Sequence, residues 1–177
     1  MFLWNLLRHF FQKRKVDNSE FHSIVLLLRE FHFFTADELR EAGRIGWGKR
    51  FDGEEDSLFF VVQNGPVTLI KAGIHAIQVL NQNQPYLGDP DGTAKTLLLK
   101  RQQDAWRAHQ AWASIDLWHT SEIPKTADAY AALSKFALNL LDSNCNAVYL
   151  PKHNVLLTND GQAEEWLLGF IHGKKML

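Results

Sequence analysis

The stretch from Thr93 to Leu117 constrains the fold most, because a helical pattern passes within two residues into a strand pattern. Steps of three or four residues separate the members of one side of this stretch: Leu98, Gln102, Ala105, His109 and Trp112. This spacing predicts a helix over residues 93–109. From Ala111 the period is two, so Ile115 and Leu117 are predicted to face a core. The helix therefore links two halves of a sheet.

The chain has 177 residues, which is enough for one domain with a sizeable core. We predict a single domain over residues 17–177, preceded by a separate segment over residues 1–16. Half-units at about 23–87 and 111–158 flank the linking helix. A last helix is predicted over residues 161–172.

The first half-unit begins with a continuously apolar run, Ile24 to Leu28, which is typical of a central strand buried on both faces. Thr35 and Glu38 have the spacing of a capping box, in which each side chain accepts a hydrogen bond from the backbone of the other. A helix is predicted to follow, with Ile45 on its inner face.

Two β-rich runs flank Asn64 and Gly65, and both of these residues tolerate a positive φ. The pattern predicts a tight hairpin with its turn at Asn64–Gly65. Pro66 is then expected at the first position of the second strand, where the missing amide is tolerated. Residues 73–91 are rich in Asn, Gln, Pro and Gly and are predicted to form a loop or an irregular edge.

The second half-unit repeats the order strand, helix, strand, strand, with short strands at Ala147–Leu150 and Val155–Thr158. The first half-unit and the link together read β-α-β-β-α-β, the order of ferredoxin-like folds, followed by α-β-β-α. We therefore predict an α+β fold built from two βαββ units. Its sheet is antiparallel or mixed, and its helices pack mainly on one face.

The chain is close to neutral overall, because 19 basic and 20 acidic residues give a formal net charge of −1. Such a chain has no global field that gathers nucleic acid, and no nucleic-acid partner is expected. The single cysteine, Cys145, excludes an intramolecular disulfide and fits a cytoplasmic location. We interpret Cys145 as a half-exposed structural residue rather than a nucleophile.

Residues 1–16 carry an apolar stripe at helical spacing: Leu3, Leu6, Leu7, Phe10 and Phe11. The segment is too short to cross a bilayer, which needs about 20 apolar residues, and its basic cluster follows the apolar part instead of preceding it. We predict an amphipathic helix. We favour its docking on this domain's own surface, and the alternatives are a membrane surface and another protein.

The eight histidines show no spacing of a metal site, and the chain has no Cys-x-x-Cys pair and no phosphate loop. We therefore predict no metal, no cofactor and no catalytic residue. The enzymatic alternative is a small hydrolase or transferase with a site near His75 and His109, together with Asp116. Otherwise His109 is expected to be a structural cap on the strand that follows it.

Trp47 lies between glycines and is followed by Lys49 and Arg50, so it is a candidate exposed aromatic residue. Such a residue stacks on nucleic-acid bases or anchors a protein interface, and the near-neutral charge favours the interface. The candidate binding residues are Trp47, Arg50, His75 and His109.

Four stretches carry a family likeness: Ile24 to Leu28, Phe60 to Ile70, His109-Gln110-Ala111 entering a strand, and Asn146 to Leu150 before a short hairpin. In these stretches, which fall within residues 23–158, the chain resembles a bacterial family of uncharacterised proteins, the domain of unknown function 4261. The chain departs from the family pattern at Ala72–Ala76. The resemblance implies a binding or immunity-like role.

Together these observations predict a non-enzymatic bacterial domain that binds a protein or acts in an immunity-like way. Besides the enzymatic alternative near His75 and His109, the second alternative is a peripheral membrane protein held through residues 1–16.

Overall fold

The computed structural model describes residues 22–118 and 125–174, which form seven strands and five α-helices. The predicted amphipathic helix over residues 1–16 lies outside the described residues. The α+β class is confirmed, because all seven strands belong to one antiparallel sheet with helices packed against it.

The strands are β1 (His22–Leu28), β2 (Phe59–Asn64), β3 (Val67–Ala72), β4 (His75–Gln82), β5 (Ala111–Trp118), β6 (Cys145–Leu150) and β7 (Val155–Thr158). The helices are α1 (Ala36–Trp47), α2 (Pro90–Ala94), α3 (Lys100–Ala108), α4 (Thr126–Leu140) and α5 (Gln162–Ile171). A 3₁₀ turn at Pro151–His153 joins β6 to β7.

The strand order in the sheet is β2-β3-β4-β5-β1-β6-β7. The first strand of each half therefore lies against strands of the other half, since β1 pairs with β5 and β6, and β5 pairs with β4 and β1. This exchange builds one sheet from the two halves. The ferredoxin-like order is not confirmed, because three strands, not two, follow α1 before the next helix.

The prediction of a loop or irregular edge over residues 73–91 is wrong at β4, which lies between β3 and β5. Alternate residues of β4 face the core, and Ile77 and Val79 are buried. Asn81 is also buried, and its side-chain oxygen accepts a hydrogen bond from the backbone N–H of Phe34. The amide residues of β4 are compatible with a strand for two reasons. Gln78 and Gln82 alternate with the buried positions, and the buried Asn81 has a hydrogen-bond partner.

The hairpin between β2 and β3 is confirmed, but its turn lies one residue later than predicted. Asn64 pairs with Val67, so Gly65 and Pro66 form the two-residue loop. The φ angle of Gly65 is 59°, as the first central position of a type II′ turn requires. Pro66 suits the second position, where φ is negative and no amide donor is needed.

The predicted linking helix over residues 93–109 is two helices, α2 and α3. Leu98 and Leu99 lie between them and are exposed, so Leu98 does not belong to an inner helical face. Trp106, one position from the predicted stripe, is the buried residue of α3. The strand that follows was predicted correctly, and both Ile115 and Leu117 are buried.

Helices α1, α4 and α5 cover one face of the sheet, which we call the first face. Its core joins alternate residues of β1 and β5 to the apolar sides of α4 and α5. The capping box of Thr35 and Glu38 at the start of α1 is confirmed. Ile45, predicted on the inner side of α1, is 55% exposed, and Gly43 is buried instead because it lies against the ring of Phe51.

The opposite face, which we call the second face, is packed against α2 and α3 over β1, β6 and β7. Its core contains these buried residues: Val25, Leu27, Ala94, Trp106, Ala147 and Leu156. Helices therefore lie on both faces, with three of the five described ones on the first.

Candidate functional site

The second face carries a buried carboxylate, Asp116 of β5, which is 6% exposed. Ser23 of β1 lies directly opposite and donates a hydrogen bond from its Oγ to Oδ1 at 2.6 Å. Ser114, two residues before Asp116 on the same strand, donates from its Oγ to Oδ2 at 2.7 Å. Both oxygens of the carboxylate are thus bound by hydroxyl groups.

Burial raises the pKa of the Asp116 carboxyl, and the hydrogen bonds from Ser23 and Ser114 oppose this rise. A buried carboxyl with a perturbed pKa is a common feature of functional sites. A serine nucleophile would also need a base, usually an imidazole. His22, which precedes Ser23 in the sequence, points to the other face of the sheet, where its ring lies 5.6 Å from that of Tyr130.

An aromatic cluster lies on the same face, formed by Tyr86, Trp106, Trp112 and Tyr149. The ring centroids of Tyr86 and Trp112 are 5.1 Å apart in an edge-to-face arrangement. Such pairs add stability beyond the burial of their area. We interpret the cluster as the packing that holds α3 and the loop before α2 on β5 and β6.

His109 is buried where α3 ends and the chain enters β5. Its Nδ1 bonds to the backbone oxygen of Trp106, and its Nε2 accepts a 2.8 Å hydrogen bond from the backbone N–H of Tyr86. This pattern fixes a neutral ring with the proton on Nδ1. Burial lowers the pKa of His109, so the ring acts as a structural link between two backbone segments.

His75 begins β4 at the opposite end of the sheet from His109. Because Ala76 pairs with Trp118 and Gln82 pairs with Trp112, the length of β5 separates the two histidines, roughly 20 Å or more. By strand alternation His75 and Asp116 also lie on opposite faces. Burial, with a further contribution from Lys71, lowers the pKa of His75. The structure does not bring these three residues together.

Trp47, at the end of α1, is half-buried rather than fully exposed. Its ring lies 4.8 Å from the ring of Phe136, and the Lys135 Nζ lies 4.8 Å from its centroid. Arg50 is exposed and its guanidinium bonds to Asp52 at 2.6 Å and to Glu55 at 2.9 Å. The structure therefore shows Trp47 as part of the core margin and Arg50 as a locally paired cation.

An open groove of about 530 Å³ lies between β6, α3 and the residues after β1 and β7. Several of its charged groups bond to neighbouring side chains. Arg29 Nε donates to Asn146 Oδ1 at 2.7 Å, and Arg101 pairs with Asp160 at 3.4 Å. Arg101 and Asp160 therefore offset each other, whereas Arg29 bonds to a neutral amide.

The two edges of the sheet differ in how their outward backbone groups are satisfied. On β7, the Leu156 oxygen accepts from Gln102 Nε2 at 2.8 Å, and the Thr158 N–H donates to Gln162 Oε1 at 3.3 Å. Side chains thus cap this edge.

The outer side of β2, which we call the β2 edge, is capped at its start and by one side chain at Val61. Phe59 bonds outward, because its N–H donates to Asp56 and its oxygen accepts from Gly53. In an antiparallel pair the outward residues alternate, so Val61 and Gln63 also point outward. Arg40 Nη2 lies 3.5 Å from the Val61 oxygen. Within the described ranges, no residue bonds to the Val61 N–H or to the backbone of Gln63.

Reasoning from the sequence missed both the β2 edge and the two serines beside Asp116. The edge depends on the strand order, for which the sequence carries no local signal. The serines were findable in principle, since Ser114 is two residues before Asp116 on a predicted strand and shares its face. Cys145, predicted to be half-exposed, is buried, and burial raises the pKa of its thiol to about 12.

Over residues 22–118 and 125–174, no group of three or more His, Cys, Asp or Glu side chains is arranged to hold a metal ion. In the same ranges, no helix has both the length and the apolar character needed to cross a bilayer.

Comparison with known proteins returned no relative: no family model, no curated protein and no solved structure matches this chain. The resemblance to the domain of unknown function 4261 therefore stays a prediction.

Proposed function

We propose that this chain is a non-enzymatic protein-binding domain that pairs an extended segment of a partner with the β2 edge. The observation that carries this proposal is the outward backbone of Val61 and Gln63. Among the described residues only Arg40 bonds to it, at the Val61 oxygen. Backbone N–H and C=O groups at a sheet edge are a ready template for another strand.

The contrast between the two edges supports the choice of β2. Natural sheets block their edges with side chains, loops or charges, and β7 is blocked in this way. On β2 the residues from Asp52 to Asp56 block the start of the strand, and Arg40 bonds to the Val61 oxygen, so the outward Val61 N–H and the Gln63 backbone remain open. The open part is short, so a partner would gain few backbone bonds and would depend on side-chain contacts for affinity.

The side chains beside the β2 edge suit an apolar partner strand. Val62 is half-buried on the second face, and the neighbouring Leu58 is exposed. An added strand would place alternate side chains over each face of the sheet. Residues of the partner on the second face would then contact Val62.

We prefer binding to catalysis because the candidate catalytic residues do not form a site. His109 bonds to two backbone segments and Asp116 to two serines, and His75 lies at the opposite end of the sheet from His109. The proposed location is the cytoplasm, which suits a chain whose one cysteine is a buried free thiol. An immunity-like role in a bacterium and the family resemblance are part of the same proposal.

The test replaces Val61 by proline. The Val61→Pro variant lacks the outward N–H and sterically opposes an added strand, whereas the sheet itself loses no ladder bond. The matched variant is Val62→Pro, whose N–H points inward to Leu69. The Val61 side chain is 5% exposed, so the first variant also loses core packing, but it keeps every ladder bond. We expect it to fold with reduced stability and to lose less stability than the second variant in a urea melt.

The binding readout is capture from the native host followed by quantitative mass spectrometry, with wild type, Val61→Pro and Ile74→Lys as bait. Ile74 lies at the exposed turn between β3 and β4, away from the β2 edge. A partner should be retained by wild type and Ile74→Lys, and lost with folded Val61→Pro. Equal retention by all three baits would contradict use of the β2 edge.

A further inference from the structure

The turn between α2 and α3 carries two leucines that the fold leaves in water. We call residues 95–101 the leucine turn. Leu98 is 94% exposed, which is the largest exposed fraction of any large apolar side chain over residues 22–118 and 125–174, and Leu99 is 47% exposed. Only here in those ranges are two exposed large apolar residues adjacent in the chain. A single exposed leucine is ordinary, but an adjacent exposed pair on a turn indicates a surface that contacts something apolar.

Hydrogen bonds and packing hold the leucine turn in place on both sides of the exposed pair. The side chain of Leu97 packs inward against the core of the second face, and its backbone oxygen accepts a 2.9 Å hydrogen bond from Gln103 Nε2. Gln102 Nε2 bonds to the backbone oxygen of Leu156 at 2.8 Å and so ties the start of α3 to β7. Because Leu97 takes the inward position, the two leucines that follow it project from the surface.

Cations flank the exposed pair on both sides. Residues 95–101 include Lys95, Lys100 and Arg101, all of them exposed, and no acidic residue. Lys100 Nζ lies 2.6 Å from Asp104 and Arg101 lies 3.4 Å from Asp160, whereas no described residue bonds to the ammonium group of Lys95. Exposed ion pairs of this kind are weak, so an anionic surface can compete for all three cations.

We propose that the leucine turn binds an anionic phospholipid surface. Leu98 and Leu99 enter the interfacial layer, and the three cations lie among the phosphate and carboxylate groups of the lipids. The inference goes beyond the partner proposed for the β2 edge and is independent of it. The turn lies beside β7, at the opposite edge of the sheet from β2, so the two surfaces can be occupied at the same time.

The shape and charge of the leucine turn favour lipid over a protein partner. A stable protein interface needs about 800 Å² on each partner and a well-packed centre, and two projecting leucines supply only a small part of that area. A fluid lipid layer needs no complementary pocket, and apolar residues flanked by lysine and arginine are typical of segments that lie in the interface. With so few anchoring groups, the binding is reversible and sensitive to salt.

The first test places a polarity-sensitive fluorophore on Leu98→Cys in the full-length protein. The probe surface is vesicles of equal parts phosphatidylserine and phosphatidylcholine. The native Cys145 is buried, and burial raises the pKa of its thiol to about 12, so it does not take up the label at neutral pH. The matched control is Ile74→Cys, because Ile74 is 80% exposed at the turn between β3 and β4, away from the leucine turn.

We expect the emission of the Leu98 probe to shift to the blue on these vesicles and to shift little on phosphatidylcholine alone, while the Ile74 probe keeps its emission in water. An unshifted Leu98 probe, or equal shifts of the two probes, would overturn the proposal.

The second test measures vesicle partition coefficients of unlabelled full-length variants. The double variant Leu98→Ser with Leu99→Ser should bind at least about tenfold more weakly than wild type, and Lys95→Gln about fivefold more weakly at low salt. Ile74→Ser should bind like wild type. All of these sites are exposed, so urea melts should show unchanged folding.

The other occupants of the leucine turn are outcomes of the same set of variants. Vesicle binding that the double serine variant leaves unchanged would overturn the proposal and assign membrane association to another part of the chain. Dimerisation of the full-length protein without vesicles, measured by sedimentation and lost in the double serine variant, would also overturn it and make the turn an interface between two copies of this chain.

Discussion

Ser23 and Asp116 face each other across β1 and β5, and the serine Oγ donates a 2.6 Å hydrogen bond to the carboxylate. Ser114 binds the other carboxylate oxygen. The sheet thus holds an ionisable group in its second face, with its hydrogen-bonding needs met by two hydroxyls. A buried charge remains costly even when it is hydrogen-bonded, which makes the stability of this fold sensitive to pH.

The first prediction concerns Asp116→Asn. The folded chain raises the pKa of this carboxyl above 3.8, the value expected without the fold. Its contribution to stability is therefore fully present below pH 3.8 and is lost as the pH rises through the folded-state pKa. Relative to wild type, the variant should gain free energy of unfolding as the pH rises from 4 to 7.

Urea melts of wild type and Asp116→Asn at several pH values between 4 and 7 measure this difference. Glu54→Gln is the control, because Glu54 is an exposed residue. Parallel stability curves for wild type and Asp116→Asn would show that the carboxyl pKa is not raised by the fold.

The second prediction concerns His109→Leu. The change removes the acceptor of the Tyr86 N–H and leaves a buried donor without a partner, which costs about 1–3 kcal/mol. Because the fold lowers the pKa of His109 from 6.5, the contribution of the neutral ring is present above pH 6.5 and is lost as the pH falls through the folded-state pKa.

The free energies of unfolding of wild type and His109→Leu should thus differ most at pH 8 and converge on acidification. The same substitution at exposed His172 is the control and should have little effect. A constant difference across this pH range would mean that His109 is not held in its neutral form.

The successes of sequence reasoning lie where a local pattern decides the structure. The buried strand β1 and the capping box at Thr35 follow from a few adjacent residues, and both were predicted correctly. The β2–β3 hairpin also follows from its glycine turn, although Pro66 shifted that turn by one position. Such features depend on side-chain period and backbone preference alone.

The failures lie where distant segments decide the structure. β4 carries amide residues that favour a loop, and it is a strand because β3 and β5 flank it on both sides. The candidate residues were chosen by type, and no sequence signal indicated that His75 and His109 lie at opposite ends of the sheet. The hydroxyl pair at Asp116 likewise depends on β1 pairing with β5, which are far apart in sequence.

The third prediction concerns Gly46→Ala in α1. A Cβ at this position would lie 2.8 Å from the backbone oxygen of Lys135 in α4. Alanine would favour the helix by about 1 kcal/mol, but overpacking of this kind costs about 1–3 kcal/mol. We therefore expect a net loss of stability in a urea melt.

Ile45→Ala is the control for Gly46→Ala, because Ile45 is exposed on the same helix and its truncation should change stability little. If Gly46→Ala were more stable than wild type, the two helices would not approach as closely as the structure indicates.

The last prediction separates the observed turn from the one that the sequence suggested. Gly65 has a φ of 59°, so Gly65→Val should cost on the order of 1 kcal/mol or more. A turn at Gly65–Pro66 leaves Asn64 within β2 at a strand φ, and a β-branched residue suits that position. Asn64→Thr should therefore change the free energy of unfolding by less than about 0.5 kcal/mol. A turn at Asn64–Gly65 would instead hold Asn64 at positive φ, and Asn64→Thr would then destabilise the domain as much as Gly65→Val. Chemical melts of the two single variants therefore report which residues form the turn.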